Sequence, residues 1–202
     1  MFNFLKKYIK KEEATFDWFL GKCEKKEEPT IDWGKFQFFN DLQCQQYDKY
    51  LKRENSFELA PRQSGKTFFG SYISTKEAMA TPETLILCLG ANMSQTNHFW
   101  CETGDFIKAG GMENIKLKFN SLITFPNRST ITFKSIDSYN PDCFRGRNIH
   151  RPYSLVFYDE YDFANRSILS RYLRDLNHYD MIDKNTLHMG LSTGFFTERF
   201  SI

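Results

Sequence analysis

The chain has 202 residues, enough for one substantial domain with a central sheet and covering helices. Its formal net charge of +2 and its lack of any run near the roughly 20 apolar residues of a membrane span exclude a polybasic tail and a transmembrane anchor. Five cysteines (Cys23, Cys44, Cys88, Cys101 and Cys143) without close pairing exclude a disulfide framework or a zinc knuckle, so a soluble protein of a reducing, intracellular compartment is expected.

Residues 1–30 alternate aromatic clusters with charged patches such as "KKEE" and end near Pro29, which reads as a helical or partly mobile arm. A domain over residues 31–202 follows. From Ile31 the spacing of Phe39, Leu42, Gln46 and Tyr50 predicts a helix with one buried face. "SFELA" is a short apolar run expected to be a buried strand, and "KTFFGSYISTKEAMA" continues as a helix closed by Thr81-Pro82. "ETLILCLG" is a continuous apolar run, the pattern of a strand covered on both faces. A helical stretch through "SQTNHFWCETGDFIKAGG" leads to two alternating runs flanking Pro126-Asn127-Arg128-Ser129, a hairpin signature. "YSLVFYDE" predicts a third buried strand, "RSILSRYLRDLNHYD" an amphipathic helix and "TLHMGLST" a fourth strand. Strands alternating with helices imply an α/β fold with a mostly parallel central sheet flanked by helices.

Between the first strand and its helix lies "LAPRQSGKTFFG". Strand, tight turn and helix are what a triphosphate requires: backbone N–H groups at the turn face the phosphates, a lysine reaches the outer ones and a hydroxyl holds magnesium. Lys66 and Thr67 supply the last two, Gln63, Ser64 and Gly65 line the turn, and Gly65 permits close backbone approach. The pattern G-x-x-x-x-G-K-[ST] calls for glycine where this chain has Ala60, so the bare match is incomplete. Such a loop needs a partner, an apolar strand ending in an acid for the metal with a second acid to polarise water. "LVFYDE" offers Asp159 for the metal, through water, and Glu160 as general base, which favours hydrolysis of ATP with Mg2+.

With these residues in view, the sequence resembles the ATPase motor of the large terminase subunit of tailed bacteriophages, a P-loop NTPase of RecA-like (ASCE) fold with a β-hairpin insertion. "RQSGKT" looks like that family's variant phosphate loop, "ITFPNRSTITFKS" like its hairpin, "CFRGRN" like its Arg-Gly element, "LVFYDEYDFA" like its acidic strand and "LSTG" like its coupling motif. The resemblance implies that Arg62 contacts the γ-phosphate from within the subunit. It implies that Arg145 or Arg147 reaches a neighbouring subunit's nucleotide, with DNA phosphates or a turn cap as their alternative roles. It also implies that Ser192 and Thr193 relay the state of the γ-phosphate, against a plain strand end. An adenine-reading glutamine is expected before the first strand; Gln37 and Gln43 compete, and an ordinary solvated glutamine is the alternative for each.

The function implied is a motor that translocates double-stranded DNA into a capsid from the host cytoplasm, assembled as a homo-oligomeric ring with portal protein and terminase small subunit as partners. Arg166, Arg171 and Arg174 are candidate phosphate contacts, with a solvated helix face as the alternative. Other readings are a RecA-like helicase or DNA-dependent ATPase, and a non-catalytic nucleotide-binding module. The family's nuclease domain would follow the motor; with the chain ending at Ile202, nuclease activity is not expected of it, and a fragment or a split gene is expected.

Overall fold

Runs of apolar residues too long to alternate become the middle of one sheet. The computed structural model describes residues 40–109, 115–119, 121–140 and 151–193; the expected arm, Phe39, Gln37, Cys143, Arg145 and Arg147 lie outside the described residues. The strands are β1 (Ser56–Leu59), β2 (Leu85–Gly90), β3 (Lys116–Lys118), β4 (Leu122–Thr124), β5 (Thr130–Ser135), β6 (Leu155–Asp159) and β7 (Leu187–Ser192). Among the described residues they form one seven-stranded sheet in the order β1-β7-β6-β2-β5-β4-β3. The first five in that order pair in parallel, and β4 and β3 add antiparallel.

The helices are α1 (Asp41–Leu51), α2 (Lys66–Ala80), α3 (Met93–Ala109) and α4 (Arg166–His178). One apolar layer joins Phe69 and Ile73 of α2 and Phe99 of α3 to Phe133 and Phe157 of the sheet. The opposite layer joins Leu87, Val156 and Tyr158 to Leu169, Tyr172 and Leu176 of α4. Helices therefore cover both faces, and β2 and β6 are buried throughout their centres. That is why "LILCLG" and "LVFYD" carry no polar alternation, whereas β5, "TITFKS", is buried at every second residue. α2 can lie this close to the sheet because position 70 is glycine: a Cβ there would sit 2.5 Å from Cε1 of Phe157 and 2.9 Å from Cζ of Phe99.

Three expectations need correction. "SFELA" forms a strand but not a buried one: β1 stands at the edge of the described sheet, and Leu59 is 51% exposed. Four residues are too few for an apolar run to tell edge from centre. The buried positions of α1 are Gln43, Gln46, Tyr47 and Tyr50, while Leu42 is half-buried, so the inner face is turned by about one residue from the stripe expected. Gln46 and Tyr50 face inward as expected, and apolar periodicity missed Gln43 because a glutamine carries no apolar signal. Finally, the first of the two hairpin runs is itself two antiparallel strands, β3 and β4, joined by a turn in which Ser121 N donates to Lys118 O at 3.2 Å.

The hairpin turn is tied to the end of α2. Asn127 Nδ2 donates to Ala78 O at 2.9 Å and Ser129 Oγ to Thr81 O at 2.9 Å. The parallel strands all point their carboxyl ends toward the loops that carry Lys66, Asp159 and Ser192, the edge where ligands bind in open α/β sheets.

Candidate nucleotide site

Position 60 does without the glycine of the general pattern because its backbone is ordinary. Ala60 is 4% exposed, its N–H donates to Ser192 O at 2.7 Å, and it is absent from the residues with positive φ. A backbone that needs no left-handed conformation tolerates a Cβ. The left-handed positions come later, at Gln63 (φ 58°) and Gly65 (φ 77°), on either side of Ser64. Such alternation makes the backbone concavity that receives an anion. α2 begins directly after Gly65, with no side-chain cap, so its first N–H groups are left for a ligand.

The lysine and the two acids converge. Lys66, 6% exposed, places Nζ 3.3 Å from Glu160 Oε1 and donates to Pro61 O at 3.0 Å. Thr67 Oγ1 donates to Asp159 Oδ2 at 3.1 Å, across 92 residues of chain. Asp159 closes β6 and is 2% exposed. Burial foremost, then the neighbouring charge of Glu160, pushes its carboxyl up to about 7, against the opposing effects of Thr67 and Lys66. Asp159 Oδ1 and Ser64 Oγ are buried with no hydrogen-bond partner. An orphaned carboxylate oxygen beside a threonine hydroxyl is a donor set that fits a hard cation such as Mg2+.

Glu160 leaves the strand through a left-handed backbone, φ 54°, with its N–H donating to Leu191 O at 2.8 Å. Its side chain thereby departs from the direction of Asp159 and reaches the end of β7. Oε2 accepts from Thr193 N at 2.8 Å, from Thr193 Oγ1 at 2.8 Å and from Ser192 Oγ at 3.3 Å. Adjacent acids in sequence thus occupy different settings, one sealed against Thr67 and one held between Lys66 and the end of β7.

Of the other expected residues, Arg62 and Gln63 are exposed in the loop, and Arg62 has no ion-pair partner among the described residues. Arg166, Arg171 and Arg174 are exposed on α4, Arg174 Nε lying 3.6 Å from Asp175 Oδ1. Gln43 is not a solvated glutamine: it is 3% exposed and donates from Nε2 to Ser64 O and Gly65 O, each at 3.0 Å. Asn40, which sequence reasoning missed, joins it by donating from Nδ2 to Ser64 O at 3.1 Å. A signal was present, since Asn40 and Gln43 have the N-cap and third-residue spacing of a capping box, and that box forms.

Comparison with known proteins finds the same fold elsewhere. The large terminase of the HK97 bacteriophage is similar in structure, with TM-score 0.59 and 13% identity over 76% of this chain and 33% of that one. The large terminase of a thermophilic bacteriophage, in complex with ADP, gives TM-score 0.56 and 13% identity over 76% of this chain and 38% of that one. The Thermus phage P74-26 large terminase ATPase domain gives 0.52 and 18% over 79% and 71%. The chain thus spans well under half of the first two of these proteins. No curated protein sequence matches it. A sequence profile described as terminase large subunit, T4likevirus-type, N-terminal matches residues 58–189, most of the chain and all of the site from Ala60 to Asp159. The chain therefore belongs to the family of T4likevirus-type terminase large subunits, corresponding to the N-terminal part.

Proposed function

We propose that the chain is the ATP-hydrolysing motor of a packaging terminase, which moves double-stranded viral DNA into a capsid. One observation carries the reading: Lys66, Thr67, Asp159 and Glu160, from one strand end and one helix start, meet within hydrogen-bonding reach at the carboxyl edge of a single sheet. Family membership and the fold support it.

In this reading Gln63, Ser64 and Gly65 present backbone N–H groups to the triphosphate, and Lys66 exchanges its contact with Glu160 for the outer phosphates. Thr67 and Asp159 hold Mg2+, which would supply charge neutralisation at the phosphates. Glu160, released on its Oε1 side and still held on Oε2 by Thr193, accepts a proton from the attacking water. Arg62, a guanidinium without a carboxylate partner among the described residues, reaches the γ-phosphate from the same subunit. Ser192 and Thr193, bonded directly to Glu160, transmit the state of the site to β7. Arg145 or Arg147 would act on a neighbouring subunit's nucleotide in a ring, and DNA, portal protein and terminase small subunit are the proposed partners in the host cytoplasm. Contacts to DNA from Arg166, Arg171 and Arg174 would be to phosphates, independent of sequence and weakened by salt.

Phosphate release with and without duplex DNA and procapsid tests the proposal, comparing the full chain with Glu160→Gln. The substitution keeps the size of the side chain and removes its basicity. Turnover is expected to fall by at least about a hundredfold, within the range attributed to general bases. Release that is unaffected by Glu160→Gln would overturn the assignment of the base.

A further inference from the structure

We infer that Arg53 is a positioning residue for the nucleotide site, acting from the opposite edge of the sheet by fixing the angle at which α1 meets the phosphate loop. The inference deepens the nucleotide-site reading and rests on it.

The end of α1 is where the sequence breaks a local rule. Glu54 N donates to Lys49 O at 2.9 Å and Arg53 N to Tyr50 O at 3.0 Å, the paired bonds that close a helix through one left-handed residue. Glycine is the usual occupant of that position, because a side chain there is strained; here it is Arg53, with φ 56°. Such strain persists where the surroundings over-determine it, and the guanidinium supplies what does so. Nη1 donates to Glu77 Oε1 of α2 at 2.8 Å, and Nη2 donates to Ser154 O before β6 at 2.8 Å and to Asn185 O before β7 at 3.4 Å. Tyr50 joins the same clasp by donating its hydroxyl to Glu77 Oε2 at 2.8 Å. Burial first, then the charge of Glu77, holds the Tyr50 phenol above its ordinary range, which keeps that proton in place.

α1 is therefore tied down at both ends. Asn40 and Gln43 bind its start to the phosphate loop, while Tyr50 and Arg53 bind its end to α2 and to the amino edge of the sheet. Its 11 residues span about 16 Å, so a tilt of about 5° moves one end relative to the other by about 1.4 Å. A shift of that size takes bonds of 3.0 Å between Gln43 and the loop out of their working range. Arg53 thus acts on nucleotide through α1 and touches no ligand atom.

The test measures ATP binding by calorimetry and steady-state phosphate release, on the full chain, for wild type, Arg53→Gly and Arg53→Gly combined with Glu77→Gln. Glycine relieves the left-handed backbone and keeps the helix stop while removing the guanidinium. The second substitution avoids stranding a carboxylate whose side chain is only 11% exposed, so the double variant carries the test should Arg53→Gly fail to fold. The expected result in both is an ATP affinity weakened about three- to tenfold, the effect of about one hydrogen bond, with binding stoichiometry intact and kcat within about twofold. A merely structural role would lower the folded fraction, and with it the stoichiometry, without altering the affinity of the molecules that remain folded. Unchanged affinity would overturn the inference, whatever the stoichiometry. A fall in kcat with affinity intact would overturn it too, because Arg53 would then act through β6 and β7 and not through α1. Arg151→Met removes an exposed guanidinium that donates to Glu83 Oε2 at 2.6 Å on the same edge, and should leave affinity unchanged; equal weakening there would overturn the inference by making the effect one of net charge. Wild-type chain that binds no ATP would overturn the nucleotide-site reading itself, a result told apart from these because it precedes any substitution.

Discussion

Thr193→Val isolates the contact between the proposed base and the end of β7. Valine keeps the shape of threonine and the backbone N–H, so Glu160 Oε2 loses only the 2.8 Å bond from Thr193 Oγ1 and retains those from Thr193 N and Ser192 Oγ. A hydrogen bond to a charged acceptor contributes about 1.5–3 kcal/mol. If that bond is needed to keep the carboxylate facing the water, turnover should fall by about ten- to a hundredfold, at 1.36 kcal/mol per decade. Nucleotide affinity should hold, because none of the bonds of Thr193 named here reaches the phosphate loop. Steady-state phosphate release gives kcat, and equilibrium binding of a non-hydrolysable ATP analogue gives affinity. Thr193→Ser restores the hydroxyl and should recover most of the rate. A Val variant with kcat within twofold of wild type would refute the reasoning; so would Val and Ser variants equally impaired, since the hydroxyl would then not be what matters.

Two further expectations concern the frame around the site. Gly70→Ala would press a methyl group to 2.5 Å from the Phe157 ring, and overpacking of this kind costs about 1–3 kcal/mol; thermal unfolding should show a midpoint lowered by several degrees, and an unchanged midpoint would show that the rings can retreat. His188 is buried in β7 with Nδ1 2.8 Å from the Tyr158 hydroxyl, and burial lowers its pKa to about 4. The unfolded chain takes up this proton near pH 6.5 and the folded chain does not, so stability should fall as pH drops from about 6.5 to about 4, by roughly 3 kcal/mol from this group. Midpoints measured across that window should diverge between wild type and His188→Gln, and parallel curves would refute it.

Much of the architecture could be read in advance because it rests on local chemistry. Interior strands announce themselves by apolar runs without alternation, and β2 and β6 lie where "LILCLG" and "LVFYD" placed them. The amphipathic pattern of "RSILSRYLRDLNH" likewise places Leu169, Tyr172 and Leu176 inward on α4. What failed was information carried by neighbours. Nothing in "SFEL" says which strand will lie beside it, and its exposure depends wholly on sheet order. The inward turn of Gln43 is invisible to apolar periodicity, because a buried amide is recognised by its partners and not by its hydropathy.

The same division runs through the site. Residue type and spacing alone determined that a Gly-Lys-Thr loop follows a strand and that an Asp-Glu pair ends another, since turn chemistry and strand termination are local. Only the tertiary structure decided that Thr67 meets Asp159, that Lys66 meets Glu160, and that Thr193 and Gln43 hold the base and the loop. Those contacts join segments far apart in the chain. They exist because parallel strand order brings the carboxyl ends of β1, β7 and β6 side by side, and no local pattern encodes that adjacency.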